Sequence, residues 1–405
     1  MTDNRNSYSK YLPYIILAVI GFAIYFNTLF NGYIYDDFQL ILDDFRIKDI
    51  KYIPMIFYSS EWSFVGSDVV NNYYRPLYVL IFMVEWHIFA DQLWGWHLTN
   101  TIFHIISAII VFHIFKLLLE ESFSSKQESE SALRKGFSTN TLAFMGSLIF
   151  LAHPVITESV AWASAMSELS FSLFYLLSFY LYIRAEKEED RKLYALSVVA
   201  FLFAAFAKET AMTLPVLIVA YDLFIKRKSL LRKIPFYIPF AIVGFIYLAL
   251  RINALDGMAP KANMHPYLNT YQYILNAFPL IIEYIWVLLV PMKLTISRVL
   301  SPVYSIIEFK AAAAVILSLA ITALLIILRR RSLLYTLSLF LFILPLVPAL
   351  YIPVLDHTPF AERYIYLPSV AFALLFILII REITLSKKLS SSEIKKPIAI
   401  LFIIL

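Results

Sequence analysis

The sequence predicts an all-α, polytopic integral membrane protein, and three observations carry that class. Of the 405 residues, 60% are hydrophobic and 16% charged, with a mean hydropathy of +0.74; a soluble domain is nearer half apolar and a quarter charged. The apolar residues gather into stretches mostly about 16 to 23 long between charged breaks, lengths that cross a ~30 Å hydrocarbon layer as helices. The stretches are continuous, whereas a transmembrane β-barrel alternates apolar and polar residues over roughly ten-residue strands. The chain has no cysteine, so disulfides, thiolate metal sites and cysteine nucleophiles are excluded.

Apolar runs long enough to span begin at Tyr11, His97, Thr141, Glu168, Leu193, Thr210, Pro235, Ala311, Leu333 and Ile365. The first follows a short polar start carrying Arg5 and Lys10 and lacks a small-residue cleavage site, so it reads as an anchor and not a signal peptide. With the N-terminus inside, strict alternation also places the clusters Lys116 to Lys135, Arg184 to Lys192, Lys226 to Lys233, Arg329 to Arg331 and Arg381 to Lys396 on the inner side. Most of the 34 Lys and Arg then face inward, as the positive-inside rule requires. This parity holds only if two further apolar runs do not cross. Pro76 to Ala90 is short and carries Glu85, Trp86 and His87, which suits a helix at the outer interface. Tyr271 to Val290 is read as interfacial or re-entrant, because a crossing there would put Arg329, Arg330 and Arg331 outside. Lys395 and Lys396 precede a run over 397–405 that is too short to span and reads as an incomplete terminal helix.

The expectation is one membrane-embedded domain over residues 1–405 with about ten to eleven transmembrane helices. Residues 31–96 form a long outer loop with juxtamembrane helices, and the Ser/Glu/Lys-rich stretch 120–138 an inner, solvated linker. With only eight Gly and no Gly-rich phosphate loop on the inner side, cytosolic ATP-driven or sugar-nucleotide chemistry is disfavoured.

The unusual polar residues fall on the outer side. Tyr35-Asp36-Asp37 follows the first span, and Arg75-Pro76 introduces the interfacial helix. His153-Pro154 and Glu158 close the third span, Lys208-Glu209 separates the fifth from the sixth, and Glu362-Arg363 precedes the tenth. Each has an ordinary structural explanation. Adjacent acids at a helix exit are commonly just solvated, Lys208 can snorkel to the interface, and Glu209 beside it sits on a different helical face. His153-Pro154 can be a simple helix break, Arg75 a loop cation, and Arg363 a headgroup anchor. What they share is one side of the membrane, and ionisable groups meeting at a membrane boundary point to a polar cavity.

The ordered set Tyr35-Asp36-Asp37, Tyr74-Arg75-Pro76-Leu77, His97-Leu98-Thr99-Asn100 with His104, Ala152-His153-Pro154 with Thr157-Glu158-Ser159-Val160-Ala161, Lys208-Glu209, and Ala361-Glu362-Arg363-Tyr364-Ile365-Tyr366-Leu367-Pro368-Ser369 resembles the transmembrane and tetratricopeptide-repeat O-mannosyltransferases. The matches cover about Tyr35 to Ser369, and no tetratricopeptide repeat follows them. The resemblance implies a polytopic glycosyltransferase that takes its sugar, with mannose expected, from a polyprenyl-phosphate carrier on the outer or lumenal side. It also implies that an acid just after the first span is the catalytic base.

On that resemblance Asp36 is assigned as base and Asp37 as its orienting or substrate-binding neighbour, an order that is open to reversal. Arg363 and Lys208 are the candidates for the donor phosphate, and Arg75, Glu158 and His153 for positioning substrate or loops. A carboxylate can take the proton of an acceptor hydroxyl as the C–O bond forms, and cations stabilise the leaving phosphate. One base with direct displacement inverts the anomeric carbon. The expected partners are the polyprenyl-phosphate sugar as co-substrate, a protein or glycan acceptor and membrane lipids, with no nucleic acid and no cofactor. Asp36, Asp37 and Glu158 could supply oxygen ligands to a divalent cation, while the resemblance favours metal-free transfer. The membrane would be the plasma (inner) membrane of a prokaryote or the endoplasmic reticulum of a eukaryote. Two other readings stay open: the same chemistry on a glycan, lipid or cell-surface polymer, and a transporter or flippase of lipid-linked sugars.

Overall fold

The computed structural model describes residues 4–66, 71–123, 137–258, 265–296, 298–355 and 359–385. Helices dominate, and among the described residues the extended pairing is a single antiparallel bridge between Arg298 and Phe360. Seven described helices are long and apolar enough to cross a membrane: Tyr11–Phe30, Leu93–Ser122, Ala163–Glu188, Leu230–Leu255, Thr270–Leu289, Phe309–Leu328 and Pro368–Leu385. Thr139–Ala152 and Pro154–Ala161 form an eighth, broken span bent by 49°. Pro154 has no N–H to continue the helical ladder. The His153 ring takes the N–H of Val155 at 3.2 Å instead, capping the turn that follows.

The all-α polytopic class agrees with the sequence; the number of long helices differs from it. The run from Leu193 folds as Arg191–Ala207, 17 residues. The run from Thr210 is divided into a turn Glu209–Thr213, a short helix Leu214–Tyr221 and a wide turn Asp222–Lys226. The run from Leu333 gives Leu334–Leu346 and then tightens over Val347–Leu350, where Pro345 and Pro348 withhold backbone donors. Conversely, Thr270–Leu289 was expected to be interfacial or re-entrant, yet its 20 residues reach about 30 Å as a helix and satisfy the length and composition of a span. The charge rule weighs only where the arginines lie, whereas this helix meets the separate requirement of length. Pro76–Phe89, at 14 residues, is too short to cross. The linker at 120–138 lies mostly, and the run at 397–405 entirely, outside the described residues.

Small side chains let the central pair of helices, Met166–Glu188 and Arg191–Ala207, approach closely. Ser178 and Ser197 are both buried, and each hydroxyl donates to the other's carbonyl at 2.7 Å. Ala200, Ala204 and Ala205 line the same buried side. Small residues and reciprocal hydroxyl bonds are the usual means of packing helices where surrounding lipid is as apolar as the side chains.

The first outer loop is built around a fully buried arginine. Arg46 pairs with Asp44 at 2.7 Å, donates to Ser60 O at 2.8 Å and Ser63 Oγ at 2.9 Å, and also donates to the carbonyl of Glu61. A buried guanidinium needs all its donors matched, so these bonds fold the loop back and hold Glu61 in place. Glu61 N also donates to Tyr73 O at 2.9 Å, which brings the segment beside Arg75.

Candidate active site

Helix ends and extended single residues aim the polar side chains into one cavity. Lys208 has extended backbone (φ −162°, ψ 141°) between two helical segments, so its side chain and that of Glu209 point to opposite sides. Lys208 pairs with Glu168 on the neighbouring helix, and Glu209 pairs with Arg75. Ala361 is extended likewise and starts the turn that carries Glu362 and Arg363. Tyr35 has a positive φ of 45°, an uncommon conformation for a large side chain, and it turns the chain immediately before the two aspartates.

The resulting cavity has a volume of about 370 Å³, and its lining includes Asp36, Glu61, Arg75, Glu168, Lys208 and Arg363. A second cavity of about 160 Å³ shares Tyr73, Arg75, Glu168, Lys208, Leu355 and Tyr364 with it. The second one continues past Phe171, Pro345, Pro348, Ala349 and Leu367, which makes it the more apolar of the two.

The two aspartates differ sharply. Asp37 is fully buried; its carboxylate accepts the Ser164 N–H at 2.9 Å, the Ser164 hydroxyl, and the Ile34 N–H at 3.0 Å. Asp37 therefore ties the first loop to the residues that follow the broken span. Asp36 is half-buried in the cavity wall, and among the described residues nothing hydrogen-bonds to its side chain. Burial raises its pKa above the ordinary carboxylate range, against the pull of Arg363. Burial raises Glu61 in the same way, opposed by Arg75.

The three cations also differ. Arg75 is fully engaged: Nε and Nη2 donate to Glu209 at 3.3 and 3.0 Å, and Nη1 lies 3.3 Å from Glu61. Burial works against the Glu209 charge, but Arg75 and Arg251 outweigh it and bring that carboxyl down to about 2. Arg363 spends Nη1 on Glu158 at 2.6 Å and its backbone N–H on the same carboxylate at 2.8 Å. Its guanidinium stacks over Trp162 at 5.3 Å and Tyr364 at 5.1 Å. Lys208 has one carboxylate partner, Glu168, and lies 4.9 Å from the centre of the Tyr364 ring. An ammonium carries three donors and a guanidinium five, so Lys208 and Arg363, each with one carboxylate partner, both retain donors that Arg75 has already used.

His153 is placed apart from these groups. Its Nε2 bonds the Leu288 carbonyl at 2.9 Å and its ring caps the next turn, so it joins two helices outside the cavity lining. Glu158 acts on the cavity through Arg363. Asn100 and His104, from the motif on the helix Leu93–Ser122, are also joints. Asn100 donates to Trp162 O at 2.8 Å, and His104 bridges Tyr366 Oη at 2.9 Å and Leu151 O at 3.0 Å. Among the described residues no three His, Asp or Glu side chains gather to hold a cation.

Human protein O-mannosyl-transferase TMTC3 is 27% identical over 215 residues, which cover 52% of this chain and 21% of that protein. Protein O-mannosyl-transferase F38B6.6 of Caenorhabditis elegans is 22% identical over 381 residues, 92% of this chain and 52% of its own length. Mouse TMTC4, another protein O-mannosyl-transferase, is 27% identical over 185 residues, covering 44% and 24%. This chain is similar to the TMTC-type protein O-mannosyl-transferases. No family model and no solved structure matches it. The matched segments span at most about half the length of these TMTC-type relatives.

Glu61 and Glu168 are the cavity acids that motif reading missed. Glu168 stood only as the first residue of an expected span, although an acid at that position among serines is itself a signal of a polar partner. Glu61 carried no sequence signal, because its place depends on the folding of the loop around Arg46.

Proposed function

We propose that this chain transfers mannose from a polyprenyl-phosphate carrier to a protein Ser or Thr hydroxyl, with inversion, in the cavity that Asp36 lines. The names of the relatives support O-mannosylation of protein. The observation that carries the mechanistic reading is the contrast within the acid pair: the Asp37 carboxylate is spent on Ser164 and Ile34, whereas the Asp36 carboxylate accepts no hydrogen bond among the described residues and faces two cations with donors to spare.

In this reading the acceptor hydroxyl attacks the anomeric carbon and its proton passes to the Asp36 carboxylate. The new C–O bond forms as the bond to the phosphate oxygen breaks, and the electron pair leaves with the polyprenyl phosphate. Arg363 and Lys208 hold the growing phosphate charge with their remaining donors. A raised pKa suits Asp36 to this role, since a base works best when its pKa lies nearer the working pH. The apolar side of the adjoining cavity, at Phe171, Pro345, Pro348, Ala349 and Leu367, gives the first isoprenes of the carrier a place beside the phosphate. Arg75, Glu209 and Glu61 form the rigid wall against which the sugar is positioned.

The test is reconstitution of the purified chain with a short-chain polyprenyl-phosphate mannose and Ser/Thr peptides. Mannosyl peptide of inverted anomeric configuration, lost in Asp36→Asn, is the expected product. Movement of intact donor across the bilayer without transfer would overturn the reading in favour of a transporter. Transfer to glycan or lipid hydroxyls alone would keep the chemistry and replace the acceptor.

A further inference from the structure

At the opposite end of the helix bundle lies a larger cavity, of about 620 Å³. The helix Arg191–Ala207 runs between the two ends, with Lys208 just past one terminus and Arg191 at the other, about 25 Å apart at 1.5 Å per residue. This distal cavity is rimmed by Arg191, Arg227 and Arg232, all exposed. None of the three has an ion pair among the described residues. The nearby acids are mostly committed. Glu186 is held by Lys228 at 3.0 Å and by Lys233, Asp222 by the hydroxyls of Tyr182 and Tyr237 at 2.6 and 2.8 Å, and Asp190 by the Lys192 N–H at 2.7 Å. Among the lining acids only Glu186 is paired with cations, so Glu189 and Asp190 face three guanidinium groups.

Two further observations give the site its direction. The 26-residue helix Leu230–Leu255 begins at the cavity, and Ser229 at its N-cap makes no side-chain bond to it, so the positive end of a long helix faces the same space. Down the outer face of that helix run Leu231, Ile234, Ile238, Ile242 and Phe245, all exposed and spaced three or four residues apart. An anion seated among the arginines would therefore have an apolar track leading from it along the bundle surface.

We propose that this cavity binds the phosphate-bearing headgroup of an anionic membrane lipid, its acyl chains lying along the Leu231 to Phe245 face. Guanidinium groups grip phosphate oxygens in pairs, and basic pockets between transmembrane helices are suited to anionic headgroups of the cytoplasmic leaflet. The site is separate from the sugar-transfer cavity and does not rest on the activity proposed for it.

The absence of native cysteine makes a clean test possible. Ser229→Cys, labelled with an environment-sensitive fluorophore, reports the cavity in the full chain reconstituted into phosphatidylcholine nanodiscs. Adding phosphatidylserine to the nanodiscs should give a saturable change that further phosphatidylcholine does not. The combined variant Arg191→Gln/Arg227→Gln/Arg232→Gln should weaken it by roughly tenfold or more. Arg329→Gln/Arg330→Gln/Arg331→Gln, which removes equal charge elsewhere in the chain, should leave it unchanged. Equal weakening in both variants would reduce the effect to general surface potential and overturn the site. So would the absence of any phosphatidylserine response. An inorganic phosphate titration giving the same change, displaced no better by the lipid, would identify a soluble-anion site and overturn the lipid.

Discussion

Arg363 lies 2.6 Å from Glu158 through Nη1 and donates its backbone N–H to the same carboxylate at 2.8 Å, although 205 positions separate the two residues. The double contact fixes where the guanidinium begins as well as where it points. Its Nε and Nη2 make no hydrogen bond among the described residues.

That geometry predicts how Arg363 responds to substitution. Lysine keeps the charge but is a point charge with all its donors on one nitrogen, so it lacks the planar fork that can grip Glu158 with one edge and two phosphate oxygens with another. Arg363→Ala should lower kcat on the order of 10²-fold and raise the apparent donor KM, with Arg363→Lys between it and wild type. The readout is steady-state transfer from a short-chain polyprenyl-phosphate sugar by monodisperse protein. Wild-type kcat and donor KM in Arg363→Ala would mean that the arginine only anchors its helix.

The two aspartates should fail in different assays. Asp36→Asn removes the proton acceptor without touching a packed contact, so turnover should fall on the order of 10²-fold or more with thermal stability kept. Asn at 37 would present an NH₂ to the Ile34 N–H in place of an oxygen. Asp37→Asn should cost about 1–3 kcal/mol, the usual penalty for an unmatched buried donor, read as a lower melting temperature in detergent. An inactive but fully stable Asp37→Asn, together with an active Asp36→Asn, would reverse the roles.

Lys208 and Glu168 are about 7% and 5% exposed, so removing one partner strands a buried charge. Lys208→Ala should destabilise by roughly 3–5 kcal/mol. The double variant Lys208→Met/Glu168→Leu should recover most of that stability while transfer stays impaired, because the phosphate contact is not restored. Thermal melts and turnover of both variants decide it; recovery of activity in the double variant would remove Lys208 from the donor site.

Two pH responses follow from the carboxyls outside the spans. Burial pushes Glu362 up to about 7, and Glu362 accepts the Thr295 N–H at 2.6 Å. The folded state thus binds a proton more tightly than the unfolded chain. Its contribution is complete below the unfolded value near 4.5 and is lost as pH rises toward 7. Melting temperature should fall across that window, and Glu362→Gln, permanently neutral, should flatten the slope. For catalysis Asp36 must be ionised, so kcat/KM should rise with pH through a carboxyl pKa lifted by burial. Arg363→Gln removes the cation that opposes the lift and should move this limb to higher pH. A limb unmoved in Arg363→Gln would show that another group controls it.

The all-α membrane class was determined by the sequence alone, because continuous apolar runs separated by charge have one solution in lipid: helices that satisfy their own backbones. The grouping of Asp36, Arg75, Lys208 and Arg363 at one end of the bundle was also legible, since alternating spans return every second loop to the same side. Which acid meets which base was decided only by the tertiary structure. Lys208 and Glu209 are neighbours in sequence, yet one extended residue sends them to Glu168 and Arg75. Asp36 and Asp37 are chemically identical, and the donors of Ser164 and Ile34 separate them. Glu61 reached the cavity through a loop wrapped around buried Arg46. Span boundaries at Leu214–Tyr221 and Leu334–Leu346 were set by prolines and packing that hydropathy does not weigh. Hydrophobicity acts through the average over a segment and survives in one dimension. An ion pair depends on the direction of a single side chain, which exists only once distant segments have packed.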